Sequence, residues 1–219
     1  MTKHFLFDFD GTLVDSMGHW AECMVGILDK YGIKYGPDIV SIITPLGGAG
    51  TIAYFQKIGL NLSTEQIAAE IDAILTPKYR DVIGEKTGVS HCLYALKAAG
   101  HSLHVLTASP HKWLDPCLSR LGLSDLFDNV WSSDDFGTGK TNPEIYTRVA
   151  EKIGARVEDI TFLDDNINAD KTAKIAGVKV IGVYDDSTKE DEAQMREVTD
   201  AYIYSFIDLE NMLNEGAEY

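Results

Sequence analysis

Along most of this chain, short apolar runs alternate with longer stretches in which apolar positions recur every three or four residues. The strand-like runs end at Phe7, Thr107, Leu163 and Val183. Between them a helical period covers Ser90 to Ala99, Pro110 to Leu121, Pro143 to Ile153 and Ala169 to Ala176. Gly100, Gly122, Gly154 and Gly177 follow these helices where a left-handed residue ends a helix. A last strand and helix, Ala201 to Tyr204 and Phe206 to Leu213, complete the series. Short β-rich runs alternating with such helices predict a parallel sheet of βαβ units.

The stretch 15–86 breaks the pattern. It holds no convincing strand-like run. Trp20, Met24, Ile27, Leu28 and Tyr31 share one helical face, and Ile67, Ile71, Ile74 and Leu75 share another. About 70 helical residues exceed what a βα connection needs. The segment therefore reads as an inserted helical cap domain, 15–86, within a core formed by 1–14 and 87–219. Its expected hinges are Val14 to Gly18 and Gly84 to Gly88, and Trp20 is expected in the cap core.

With 219 residues, 45% hydrophobic and 24% charged, the chain can bury a sizeable core. No apolar run approaches the ~18 residues of a membrane span, so no membrane partner is expected. Asp8 and Asp10 interrupt the first apolar run before it forms a signal-peptide pattern. Cys23, Cys92 and Cys117 are odd in number and lack metal-ligand spacing, so reduced thiols and a cytoplasmic location are expected. Acidic residues outnumber basic ones 34 to 19, a formal charge of −15. Nucleic acid, which needs a basic footprint, is disfavoured as a partner. Any phosphate site must supply its own cation. Much of the acidity collects in Asp185 to Asp200, which reads as a solvated surface. A monomer or weak dimer is the expected state.

In parallel α/β sheets, ligands bind beyond the carboxyl ends of the strands. The residues there carry chemistry. Asp8-Phe9-Asp10-Gly11-Thr12 follows the first run. If the strand continues, the two carboxylates face one side roughly 7 Å apart. That gap holds a phosphoryl group or a metal, with one carboxylate as nucleophile and the other handling protons. Thr107 ends the second run, where Ser109 reads as an N-cap and Pro110 as the first helical residue. A hydroxyl beside a helix N-terminus makes an anion site. Lys140 precedes a helix expected to open with a Thr141/Glu144 capping box and Pro143. A lysine gains nothing from the helix dipole there, so a bound anion accounts for it better than a structural role. Asp164 and Asp165 close the run from Ile160. Adjacent carboxylates repel unless a cation is near, and hard oxygens of this kind suit Mg²⁺.

With these residues the chain resembles the haloacid dehalogenase-like hydrolase superfamily. The resemblance is to its phosphatase branch with a helical cap, similar to phosphoglycolate phosphatase and β-phosphoglucomutase-like proteins. Phe7 to Ser16 is similar to the first motif, Leu106 to Ser109 to the second, Lys140 in Gly-Lys-Thr-Asn-Pro-Glu-Ile-Tyr to the third, and Phe162 to Asp165 to the fourth. The resemblance implies a Rossmann-like doubly wound parallel sheet with an all-helical cap. It implies Asp8 as nucleophile, Asp10 as general acid/base, and Thr107, Ala108 and Lys140 around the phosphoryl oxygens. Mg²⁺ would be held by Asp8, the backbone carbonyl of Asp10, and Asp165, with Asp164 assisting directly or through water. Where the family often has a further acid, this chain has Ala169, leaving Asn168 or Asp170 for the outer role. Thr44 to Gly50 resembles the family's cap specificity loop, which makes Gly47 and Gly48 candidate specificity residues, and His19, just after the first hinge, is a further candidate.

The implied activity is Mg²⁺-dependent hydrolysis of a small phosphate monoester, a sugar phosphate or phosphoglycolate, through an aspartyl phosphate. A phosphomutase of the β-phosphoglucomutase type would use the same residues. A receiver-like signalling protein or a binding-only protein is the competing class. A receiver, however, carries its acidic pair first and its phosphoacceptor later, and needs no insert of this size.

Overall fold

Six strands, β1 (His4–Phe7), β2 (Ser102–Thr107), β3 (Asn129–Ser132), β4 (Ile160–Asp164), β5 (Lys179–Val183) and β6 (Ala201–Ile203), pair in parallel in the order β3-β2-β1-β4-β5-β6. They belong to a computed structural model that describes residues 3–215. The inner strands are mostly apolar because both faces are covered. On β1 the side chains alternate. Phe7 meets the rings of Phe127 and Phe206 on one face. Leu6 joins Leu106, Phe162, Ile145, Tyr146 and Val149 on the other, all fully buried. That second face is roofed by α7 (Glu144–Ile153) and α8 (Ile167–Ala176). The remaining core helices are α5 (Val89–Ala98), α6 (His111–Arg120), α9 (Glu192–Val198) and α10 (Phe206–Asn214).

One strand escapes the hydrophobic pattern. β3 is a four-residue edge strand, three of its residues only half-buried, so it needs no apolar run. Its place is set by pairing, with Thr107 opposite Ser132, and by the Leu103 N–H donating to the Asp128 carboxylate at 2.9 Å. Three helix starts also differ from expectation. Pro110, not Ser109, caps α6, because the Ser109 hydroxyl is drawn to a carboxylate. The Thr141/Glu144 box does not form at α7; Asn142 Oδ1 accepts the Glu144 N–H instead, at 3.1 Å. Helix α8 begins two residues early, at Ile167, since the Asn166 side chain accepts from the N–H groups of Asn168 and Ala169.

The chain divides into two compact units, 16–83 and the remainder. The inserted unit comprises α1 (Met17–Lys30), α2 (Ile39–Ile43), a 3-10 turn (Thr44–Leu46), α3 (Gly47–Lys57) and α4 (Thr64–Asp81). Helices α1 and α4 bury Cys23, Met24, Ile27 and Leu28 and Ile67, Ile71, Leu75 and Tyr79, respectively. The half-buried Trp20 donates its indole N–H to the Tyr79 hydroxyl at 2.7 Å. Thr44 to Gly50, expected as a loop, is instead the 3-10 turn and the first turn of α3. In the core, the two connecting segments pair as a small ribbon. Val14 bridges Glu85, the Asp15 N–H donates to Gly84 O, and the Lys86 N–H donates to Leu13 O. Among the described residues, no helix is long and apolar enough to cross a membrane.

Candidate active site

The strand order turns back at β1, with β2 and β3 to one side and β4 to β6 to the other. Such a reversal opens a crevice beyond the strand ends. Phe7 pairs with Leu163, and the Asp8 N–H continues the ladder by donating to Leu163 O at 2.9 Å. That last bond sets Asp8 beside Asp164 and Asp165. One oxygen from each of the three carboxylates lies within 4.8 Å of the others, and all three residues are buried.

Asp8 and Asp10 do not share an extended strand, as the alternation suggested. β1 stops at Phe7, and the chain curls so that the N–H groups of Leu13 and Val14 both donate to Phe9 O. Gly11 makes the turn at a φ of 75°. A methyl group on Gly11 would stand 2.4 Å from Asp165 Oδ2, so this glycine is needed both for its backbone angle and for space. Thr12 adds a hydroxyl that donates to Asp165 Oδ1 at 3.0 Å. Asp10, half-buried, accepts a hydrogen bond from Ser109 Oγ at 2.5 Å.

The positive charge among these carboxylates is Lys140. Its ammonium donates to Asp164 Oδ2 at 2.6 Å and stands 2.8 Å from Asp8 Oδ1. The second contact is electrostatic and poorly aligned, so Asp8 Oδ1 is buried without an aligned hydrogen-bond donor. Tyr146, on α7, fixes the lysine's backbone: its hydroxyl lies 3.2 Å from both Lys140 O and Ala169 O. Burial works against the Lys140 charge, but Asp164 and Asp8 outweigh it and hold its pKa above the usual lysine range. Burial pushes Asp164 up to about 7, with Asp8 adding and Lys140 opposing. Asp165 is raised well above the carboxylate range by burial, then by Asp164, Asp8 and Asp185. Three carboxylates against one ammonium, with an orphaned oxygen among them, form a donor set suited to a hard divalent cation.

Thr107 is buried, and its hydroxyl accepts the Ser109 N–H at 3.0 Å; Ala108 beside it is exposed. Of the two candidates for the outer acid, Asn168 is exposed. Asp170 is fully buried with both oxygens unpartnered, and its pKa is raised well above the usual range by that burial and by Asp164 and Asp165. Neither belongs to the carboxylate trio. Gly47 and Gly48 open α3, and His19 is half-buried on α1, its Nδ1 3.6 Å from Glu22. These three belong to the inserted unit.

Three features here have partners that the sequence does not announce. Ser109 reads as a helix cap but serves Asp10. Lys86 is a single lysine in a linker, yet it is half-buried and its ammonium bonds the Gly11 carbonyl beside the site. Asp185 reads as part of a solvated acidic face but is 5% exposed and paired with Lys86 at 2.9 Å. Only the fold brings 86 and 185 together. The three cysteines are buried and free, and burial pushes Cys23 and Cys92 up to about 12 and Cys117 to about 11, which keeps them protonated.

A parallel sheet with buried carboxylates and a lysine at its switch point, interrupted after the first strand by a helical insert, defines a capped phosphoryl-handling hydrolase. The haloacid dehalogenase-like hydrolase family matches residues 5–183, and the chain belongs to that family, in its phosphatase branch. It is 29% identical over 200 residues to phosphoglycolate phosphatase of Salmonella choleraesuis, spanning 81% of this chain and 79% of that one. It is 25% identical over 177 residues to a phosphorylated carbohydrates phosphatase of Thermotoga maritima, spanning 80% and 82%. CbbY of Rhodobacter sphaeroides, solved with xylulose-(1,5)-bisphosphate, shares the fold with a TM-score of 0.81 over 95% of this chain and 96% of that chain, at 21% identity.

Proposed function

We propose that this protein hydrolyses a small phosphate monoester, a sugar phosphate or phosphoglycolate-like compound, with Mg²⁺ as cofactor and Asp8 as nucleophile. The observation that carries the reading is the buried trio Asp8, Asp164 and Asp165, closed by Lys140 at the switch point. Asp8, Asp165, Asp164 and the Asp10 carbonyl would hold Mg²⁺, which neutralises charge on the phosphoryl oxygens when bound. Lys140 and the Thr107–Ala108 segment would receive the remaining oxygens. Phosphoryl transfer requires mainly positioning and charge neutralisation from the protein. An Asp8 oxygen attacks phosphorus in line as the bond to the ester oxygen breaks, giving an aspartyl phosphate. Asp10, oriented by Ser109, gives its proton to the departing alkoxide. It then takes a proton from the water that attacks phosphorus, which frees Asp8 and releases inorganic phosphate. The inserted unit, with Gly47, Gly48 and His19, would select the substrate.

A panel of phosphate esters with inorganic phosphate as readout tests this. Release in Mg²⁺, abolished by excess chelator and restored by added Mg²⁺, is expected. Full activity in chelator overturns the metal assignment. Isomerisation of a sugar phosphate without net phosphate release would make the protein a mutase instead.

A further inference from the structure

Lys86 ends the second connection to the inserted unit and lies half-buried near the carboxylates, yet the hydrolysis proposed above does not use it. Its ammonium donates to Gly11 O at 2.7 Å, Tyr184 O at 2.6 Å and Asp185 Oδ2 at 2.9 Å. An ammonium has three protons, and all three are committed to protein acceptors. Its backbone N–H donates to Leu13 O at 3.0 Å, so side chain and main chain grip the same turn. The residue is itself held from behind. Thr87 O accepts the Phe206 N–H at 3.1 Å, and Gly88, at a φ of 86°, lies so close to Ile207 that a β-carbon would meet it at 2.9 Å.

Beyond Gly11 stands Asp165. The turn has no spare room there, since a methyl on Gly11 would come 2.4 Å from Asp165 Oδ2. Thr12, the next residue, hydrogen-bonds the other oxygen of the same carboxylate. The Gly11–Thr12 turn is thus a wedge with Lys86 on one side and Asp165 on the other. Even a partly buried ammonium is costly unless its protons are matched, and an apolar side chain would fill the same space without that cost. The lysine is therefore accounted for by what its three bonds fix.

We propose that Lys86 is a positioning residue for the metal site. By gripping the Gly11 carbonyl and Asp185 it holds the Gly11–Thr12 turn against Asp165, and so fixes the carboxylate geometry on which Mg²⁺ affinity depends. This rests on the assignment of Asp165 to Mg²⁺ made above. Outer partners of metal ligands typically change affinity by about 10- to 100-fold, and the same range is expected here.

Calorimetric titration of Mg²⁺ into the metal-stripped full chain tests it without recourse to turnover. Lys86→Met alone leaves the buried Asp185 charge without its cation, with only Ser187 still donating to it. The double variant Lys86→Met/Asp185→Asn removes both charges together and keeps their local sum at zero. It is expected to bind Mg²⁺ roughly 10- to 100-fold more weakly than wild type, while at saturating Mg²⁺ its ester KM stays at the wild-type value. Wild-type Mg²⁺ affinity in the double variant overturns the clamp. If Asp165→Asn has lost Mg²⁺ in the same series, the metal assignment survives that failure. A raised ester KM with unchanged Mg²⁺ affinity also overturns it, because Lys86 would then act on substrate. A wild type that takes up no Mg²⁺ overturns both.

Discussion

At the residue scale, Asp8 and Asp10 sit in different surroundings. Asp8 faces Lys140 at 2.8 Å and belongs to the carboxylate trio, whereas Asp10 is held by Ser109. Asp8→Asn is expected to abolish phosphate release and to alter Mg²⁺ binding. Asp10→Asn is expected to cost about 10²–10⁴-fold, the usual worth of acid–base help, and least with nitrophenyl esters, whose leaving group needs no proton. Near-full activity of Asp10→Asn on alkyl phosphates would remove Asp10 from the proton-transfer step. Asp164 and Asp165 also set a pH dependence. Burial raises Asp164 to about 7 and Asp165 further above its unfolded value. A carboxyl whose folded pKa is raised binds protons more firmly folded than unfolded, so its contribution to stability is lost as pH rises through the folded pKa. The Tm of the metal-free protein is expected to fall between about pH 5 and about pH 8. Mg²⁺ needs the deprotonated carboxylates, so it should raise Tm more at the upper end. Equal stabilisation by Mg²⁺ at both ends would contradict the raised pKa values of buried Asp164 and Asp165.

At the element scale, helix α7 reaches the site through one hydroxyl. Tyr146 is fully buried, its ring packs edge-on to Phe162 of β4, and its hydroxyl lies within hydrogen-bond reach of Lys140 O and Ala169 O. It ties α7 to the lysine segment and to the start of α8. Tyr146→Phe keeps the ring and removes the donor. A net hydrogen bond is worth about 1 kcal/mol, and an unsatisfied buried carbonyl adds to the loss. A stability decrease of about 1–2 kcal/mol is expected, read as a lower urea midpoint at unchanged m. The ester KM should rise, because Lys140 loses one anchor. An unchanged KM would mean that the lysine holds its place by its ion pairs alone.

At the scale of the whole molecule, the insert enters and leaves the core through one small ribbon. Asp15 N lies 3.0 Å from Gly84 O, so the ends of the core on either side of 16–83 are already together. Closing them needs only a short loop. Replacing 16–83 with a few glycines and serines, while keeping Lys86, is expected to leave a folded core that still hydrolyses activated esters but discriminates poorly among substrates. Unchanged selectivity on the ester panel would remove the insert from substrate selection.

What the sequence determined by itself was local. Apolar runs had to become buried strands, the helical period had to become helices, and carboxylates and a lysine at the strand ends had to converge once those strands ran parallel. Five of the six strands and the carboxylate trio with its lysine follow from that logic. Tertiary structure decided what depends on partners distant in the chain. β3 exists because β2 offers an edge, not because Asn129–Ser132 has an apolar run of its own. Ser109 left its expected capping role because Asp10, 99 residues away, took its hydroxyl. Asp185 left its expected solvated face because Lys86, also 99 residues away, donates to it. Hydrophobic period is a property of neighbours along the chain. A side-chain polar bond is settled only when the fold chooses which donors and acceptors are buried together.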